Sequence, residues 1–351
     1  MKKLLALTLV LAMAFACLAG CGSTAASDNA APAQSAAEAA ASTVAETVSA
    51  AEPASGDTYK VAFLPTDMSM TFASWLADEL TTAFAAYDDM ELTVIDSQNV
   101  LETQISNMET CVAQGYDYII LLPIEPAAED DIVAGYIEQG TPMMMINLDD
   151  FGVEKASSVI ANPYDLGTVV SEYAKTLLPD DAKVVVLLGP SGNTDSIERR
   201  RAYEEVLFST TNIEILDEQL GDWDKAKGME LMENWIQVYG EDITAVCSMN
   251  DAMAIGAYEA AKAAGIADKI MFFGVDGLAD AAVSLADGEI TATALQDAQV
   301  MAQEGARIVH EVLTGANTTG YEKTQIPVTL ITKDNVQEFI DRYKANGMLA
   351  S

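Results

Sequence analysis

Residues 245–276 read AVCSMNDAMAIGAYEAAKAAGIADKIMFFGVD. The first five residues, 245–249, are an apolar run of strand length. Residues 251–264 follow with helical spacing, Gly265 supplies a left-handed residue at the helix end, and 271–275 form a second apolar run. Neither run alternates polar with apolar, so each expects cover on both faces, as in a parallel sheet. Strand candidates of the same kind are 60–65, 92–95, 118–122, 143–146, 158–160, 183–188, 213–216, 291–295 and 326–331. Helical patterns lie between them at 73–87, 101–114, 127–139, 165–178, 195–208, 225–239 and 299–313. Eleven strands are too many for one sheet, so the chain reads as two α/β lobes, each a doubly wound parallel sheet.

In open parallel sheets a ligand sits beyond the carboxyl ends of the strands. The residues at those ends are Thr66 and Asp67, Asp96, Glu125, Asn147, Asn162, Asn250 with Asp251, Asp276 and Gln296. An Asp or Asn in such a place often caps the next helix, and Asp165 and Asp251 read that way. Asn147, Asp276 and Gln296 have no helix start close behind them. Amides and carboxylates beside an aromatic wall suit a neutral polyhydroxylated ligand.

The N-terminus bears on location. Met1-Lys2-Lys3 precedes an apolar run, 4–18, of signal-peptide length and too short for a membrane span. Leu18-Ala19-Gly20-Cys21 has the small-residue-then-Cys pattern of a lipoprotein signal, with cleavage after residue 20 and lipid attachment at Cys21 expected. The alternative is an ordinary secretory signal with Cys21 incidental. Residues 21–57, rich in Ala, Ser, Thr, Glu and Pro, read as a disordered tether. The expected location is the extracytoplasmic face of the cell membrane, by lipid anchoring.

The net charge of −36 disfavours nucleic acid and anionic lipid head groups as partners. Cys111 and Cys247 read as buried core residues, and one histidine without a Cys/His cluster argues against a transition-metal site. No nucleophile elbow or phosphate-cradling glycine loop is present, so neither a cofactor nor an enzyme activity is expected; no clean calcium-loop spacing is present, and the sequence leaves a structural calcium open.

Four motifs together carry a resemblance: Asp96-Ser97-Gln98-Asn99, the run from Met249 to Ala257, Gly274-Val275-Asp276-Gly277, and Thr293-Ala294-Leu295-Gln296. The chain resembles the periplasmic ribose- and galactose-type sugar-binding proteins, the type I solute receptors of ABC transporters. The resemblance implies two lobes, residues 58–161 with 297–325 and residues 162–296 with 326–345, which close on a sugar. Crossings are implied near Asn162, Gln296 and 325–327. By matching position it implies ligand contacts from Phe72, Asn147, Asn162, Trp223, Asn250, Asp276 and Gln296. Met70 and Val100 stand where ribose-type proteins have Asn, and Leu148 and Ile197 where they have Arg. Asp67, Asp149, Asp195 and Arg199 are candidate replacement contacts. The implied role is a monomeric receptor that delivers a simple sugar or polyol to an ABC permease. The alternatives are presentation of a sugar-derived signal to a chemoreceptor or sensor kinase, and binding of a nucleoside-like ligand.

Overall fold

The computed structural model of the chain describes residues 58–148 and 152–350, so Cys21 and Asp149 lie outside the described residues. The first half runs β1 (Tyr59–Leu64), α1 (Thr71–Phe84), β2 (Met90–Val94), α2 (Leu101–Ala113), β3 (Tyr118–Leu121), α3 (Pro126–Glu138), β4 (Met143–Ile146) and β5 (Ser157–Ala161). It continues with α4 (Pro163–Leu177), β6 (Lys183–Leu188), α5 (Thr194–Val206), β7 (Glu214–Leu220), α6 (Lys225–Tyr239), β8 (Ala245–Ser248), α7 (Asp251–Ala263) and β9 (Met271–Asp276). The last elements are α8 (Ala279–Ala286), β10 (Ala292–Leu295), α9 (Ala298–Leu313), β11 (Lys323–Ile326), β12 (Thr329–Thr332) and α10 (Val336–Ala345).

The strands form two six-stranded sheets, ordered β11-β5-β4-β3-β1-β2 and β12-β10-β9-β8-β6-β7. Every pairing is parallel except β10 with β12. The central strands β3, β4 and β8 are buried at every position, which is why their sequences do not alternate. The run Met143-Met144-Met145 is part of that interior, and Cys111 and Cys247 are buried free thiols. The two α/β lobes follow as the sequence reading expects.

The chain passes between the sheets three times: from β5 into α4, from β10 into α9, and from β11 to β12. The last passage corrects one strand candidate. Residues 326–331 are two strands of different sheets, not one, with Pro327 between them. Proline has no N–H for a sheet ladder, so pairing stops there and restarts on the other sheet. At the crossings Asn162 caps α4, accepting from the N–H of Tyr164 at 3.0 Å and of Asp165 at 3.2 Å. Asp297 caps α9 and pairs with Arg342 of α10 at 2.7 and 3.1 Å.

A second correction concerns β7. It runs to Leu220, four residues past the expected end at 216, through the polar stretch Asp217-Glu218-Gln219. It is a sheet edge, paired on one side only to β6, so polar side chains are tolerated along it.

Candidate functional site

The carboxyl ends of both sheets face a cavity of about 720 Å³ between the lobes. Its floor on the second lobe is built around Arg199, on the second turn of α5 and only 2% exposed. Nη1 of Arg199 donates to the Met249 carbonyl at 2.7 Å and to Oδ1 of Asp276 at 3.3 Å, and Nη2 donates to Oε1 of Gln296 at 2.5 Å. The guanidinium also lies 5.5 Å from the centroid of the Trp223 ring, a cation–π arrangement. One side chain thus ties together the ends of β8, β9 and β10.

The strand ends themselves are bent. Asn99, Asn147, Trp223 and Asp276, all lining the cavity, have φ of 53°, 62°, 65° and 122°. Such backbone is costly for a residue with a Cβ and persists where surrounding contacts fix it. The four residues stand at or a few residues past strand ends, and they line the cavity.

Across the cleft, Nδ2 of Asn147 donates to Oδ2 of Asp195 at 2.9 Å, a direct bond from the first lobe to the second. Burial raises the Asp195 carboxyl above its usual range, against the lowering effects of Arg199 and Asn147. The Asp276 carboxyl is raised too, chiefly by burial, and so is that of Asp251 beneath it. Phe72, half-buried on the first turn of α1, lines the cavity and meets Trp75 edge-on at 6.1 Å.

Of the residues expected to contact ligand, Phe72, Asn147, Trp223, Asn250, Asp276 and Gln296 line this one cavity, together with Asp195 and Arg199. Asn250 does so while capping α7: its Oδ1 accepts from Met253 N–H and its Nδ2 donates to the Trp223 carbonyl. The helix cap is therefore Asn250 and not Asp251, which is wholly buried and accepts from the Leu278 N–H at 2.9 Å. Asn162 and Asp67 are outside the cavity lining. Asn162 borders a smaller pocket beside Tyr164 and Asp165, and Asp67 accepts from the Ser69 N–H in its own turn.

Two of the apolar departures are corrected by the structure. Val100 and Ile197 are 42% and 53% exposed and do not line the cavity; Asn99 and Arg199, one and two residues away, do. A one-residue offset at a loop or helix start moves a side chain to another face, and linear matching does not register it. Met70 and Leu148 do line the cavity. Glu125, at the N-cap position of α3, and Asn99, which closes a quoted motif, also line the cavity and are not among the expected contacts.

Behind the Glu125 rim, the wholly buried Glu129 accepts from the Glu125 N–H at 3.1 Å. Burial pushes its carboxyl up to about 7 from an ordinary 4.5. The folded chain thus holds this proton more tightly than the unfolded chain. The stabilisation is complete below about 4.5 and is lost as pH rises through about 7. Glu129→Gln is therefore expected to be more stable than the parent at about pH 8, by on the order of 1–3 kcal/mol, with the gap closing in acid. Urea unfolding at the two pH values measures this; an equal gap at both would sink it.

The sequence model of the family described as "Periplasmic binding protein domain" matches residues 61–317. A Rhizobium meliloti protein provisionally named as rhizopine-binding is 30% identical over 276 residues, covering 76% of this chain and 88% of its own. A xylitol-binding protein of Mycolicibacterium smegmatis is 26% identical, covering 82% and 81%. Among solved structures, an ABC transporter solute-binding protein from Bacillus halodurans C-125 with bound myo-inositol superimposes with a TM-score of 0.76 at 26% identity, over 82% of this chain and 99% of its own. With its two parallel-sheet lobes, its three crossings and its interlobe cavity, the chain belongs to the periplasmic binding protein family, in the type I sugar-binding group.

Proposed function

We propose that this protein is an extracytoplasmic receptor that binds a sugar or polyol in the interlobe cavity and delivers it to an ABC permease. The observation that carries the reading is the cavity itself. Donors and acceptors from Asn147, Arg199, Asp276 and Gln296 meet there beside Phe72 and Trp223, from both sheets at once. Rings cover the apolar faces of a polyol, and amides, carboxylates and the guanidinium bond its hydroxyl edge. A ligand that touches both lobes favours the closed arrangement, which is the signal a permease reads. The work is binding and hinge closure, not bond making.

Relatives named for xylitol and for ribose, and a solved structure with bound myo-inositol, support a simple sugar or polyol as the ligand class here. The Leu18-Ala19-Gly20-Cys21 sequence supports lipid attachment at Cys21, and no helix among the described residues is long and apolar enough to cross a membrane. We take the receptor to act as a monomer on that anchor.

Thermal unfolding of the full-length chain in detergent, with polyols, pentoses, hexoses, nucleosides and amino acids, tests the reading. Ligand at about a thousand times its Kd stabilises the fold by roughly 4 kcal/mol. A shift with nucleosides or amino acids alone would overturn the sugar-or-polyol assignment. Trp223 provides a sharper check. A Cβ on Gly189 would lie 2.2 Å from its Cζ2, so Gly189→Ala is expected to displace the ring. Affinity should fall about tenfold or more, since an aromatic face contributes on the order of 1–2 kcal/mol.

A further inference from the structure

The turn after β9 carries two consecutive residues of positive φ, Asp276 at 122° and Gly277 at 71°. Asp276 and Leu278 line the cavity, so this turn forms part of its floor. A residue with a Cβ keeps such a φ only where its surroundings hold it. Three buried side chains hold the backbone of the turn. Oγ1 of Thr293 accepts from the Gly277 N–H at 3.2 Å, Oδ2 of Asp251 accepts from the Leu278 N–H at 2.9 Å, and the Tyr343 hydroxyl donates to the Gly277 carbonyl. Burial raises that hydroxyl well above its usual range, so it stays a donor. Thr293 lies on β10 and Asp251 on α7, both packed beside β9 in the same lobe. Tyr343 comes from α10, the last helix of the chain.

The ring of Tyr343 reaches the other lobe. It meets the Trp75 ring edge-on with centroids 6.0 Å apart, and Trp75 stands on α1 of the first lobe. Trp75 in turn meets Phe72, which lines the cavity, whereas neither Trp75 nor Tyr343 does. A buried run of contacts thus passes from the Asp276 turn through Tyr343 and Trp75 to Phe72, joining the two cavity walls by a path outside the lining. Arg342, one residue earlier, bonds Asp297 where the chain crosses back to the first lobe. α10 therefore grips the first lobe at a crossing, where a hinge rotation of the lobes moves atoms least.

We propose that Tyr343 is a positioning residue for ligand binding: it fixes the Asp276 turn and, through Trp75, sets where the first lobe stands against that turn. This rests on the receptor reading above and deepens it. A ligand that touches Phe72 and Asp276 together meets walls that are already coupled, so less freedom is lost when it binds.

Two measurements on the full-length chain in detergent test this, and one needs no ligand. Spin labels on Glu138→Cys and Val238→Cys, at the exposed ends of α3 and α6, report the distance between the lobes, Cys111 and Cys247 being buried. Tyr343→Leu and Trp75→Leu are each expected to broaden that distance distribution in the ligand-free protein. The double variant should add little to either, because both single changes break the same contact. Tyr343→Phe keeps the ring and loses the hydroxyl. It should keep the parent distances and bind about five- to tenfold more weakly in calorimetry, with myo-inositol, xylitol and ribose as the probes. Parent distances in both leucine variants overturn the proposal. So does a Tyr343→Phe variant with a lower melting temperature and unchanged affinity, the behaviour of a plain core residue. If no probe binds the parent protein, the sugar-or-polyol reading falls and the distances alone decide the role of Tyr343. If Tyr343→Leu does not fold, Trp75→Leu and Tyr343→Phe decide it.

Discussion

Arg199→Ala is expected to abolish ligand binding and to destabilise the fold by about 3–5 kcal/mol, the cost of removing one partner from a buried charge pair. The side chain is 2% exposed, and its loss leaves the Met249 carbonyl, Asp276 and Oε1 of Gln296 without their donor. Asp276, already displaced toward its protonated form by burial, would lose the group that most opposes that shift. Affinity should drop more than about a hundredfold, because the ends of β9 and β10 lose the strut that joins them. Arg199→Lys should not rescue binding, since one ammonium cannot reproduce the planar fork that reaches Asp276 and Gln296 together. Urea unfolding and calorimetry measure the two effects. A variant within about 1 kcal/mol of the parent that still binds within tenfold would show that Arg199 is not the organising residue.

The second large effect is expected at the crossing of α6 and α7. A Cβ on Gly256 would lie 2.1 Å from the Lys225 carbonyl oxygen, and one on Gly228 would lie 2.7 Å from that of Met253. Each helix therefore needs a glycine where the other's backbone approaches. In a helix interior alanine is otherwise favoured over glycine by roughly 1 kcal/mol, so only close packing explains the choice. Gly256→Ala should separate the helices and cost about 2–4 kcal/mol, at or above the upper range for overpacking. It should also weaken ligand binding, because the N-cap of α6 is Asp224, next to Trp223. Gly135→Ala in α3 is the control: a Cβ there meets nothing within 4 Å. That variant should be neutral or slightly more stable. Equal melting temperatures for the two variants would sink the packing argument.

The lobed α/β class was legible because buried parallel strands show as uninterrupted apolar runs, such as Met143–Ile146 and Ala245–Ser248, with helical spacing between them. The site was legible where polar residues end those runs: Asn147, Asp276 and Gln296 all line the cavity. The misreadings share a cause. The edge strand β7 carries polar residues because one side of it is unpaired, which apolar patterning does not register. Val100 and Ile197 matched family positions in linear order but point elsewhere, because a shift of one or two residues changes the face presented.

What the sequence determined by itself was local: which segments bury both faces and which residues end them. Tertiary structure alone decided which of the many carboxylates and amides matter. Asn162 and Asn250 are both asparagines at strand exits and both cap helices, yet only Asn250 borders the cavity. Arg199 and Arg200 are neighbours, yet one is buried against Asp276 and Gln296 while the other pairs with Glu204 and Glu218 at the surface. The physical reason is that hydrophobic pattern and capping act over a few residues. Charge compensation in a cleft depends on distances between segments about a hundred residues apart, such as Arg199 and Gln296, and packing within the second lobe sets those distances.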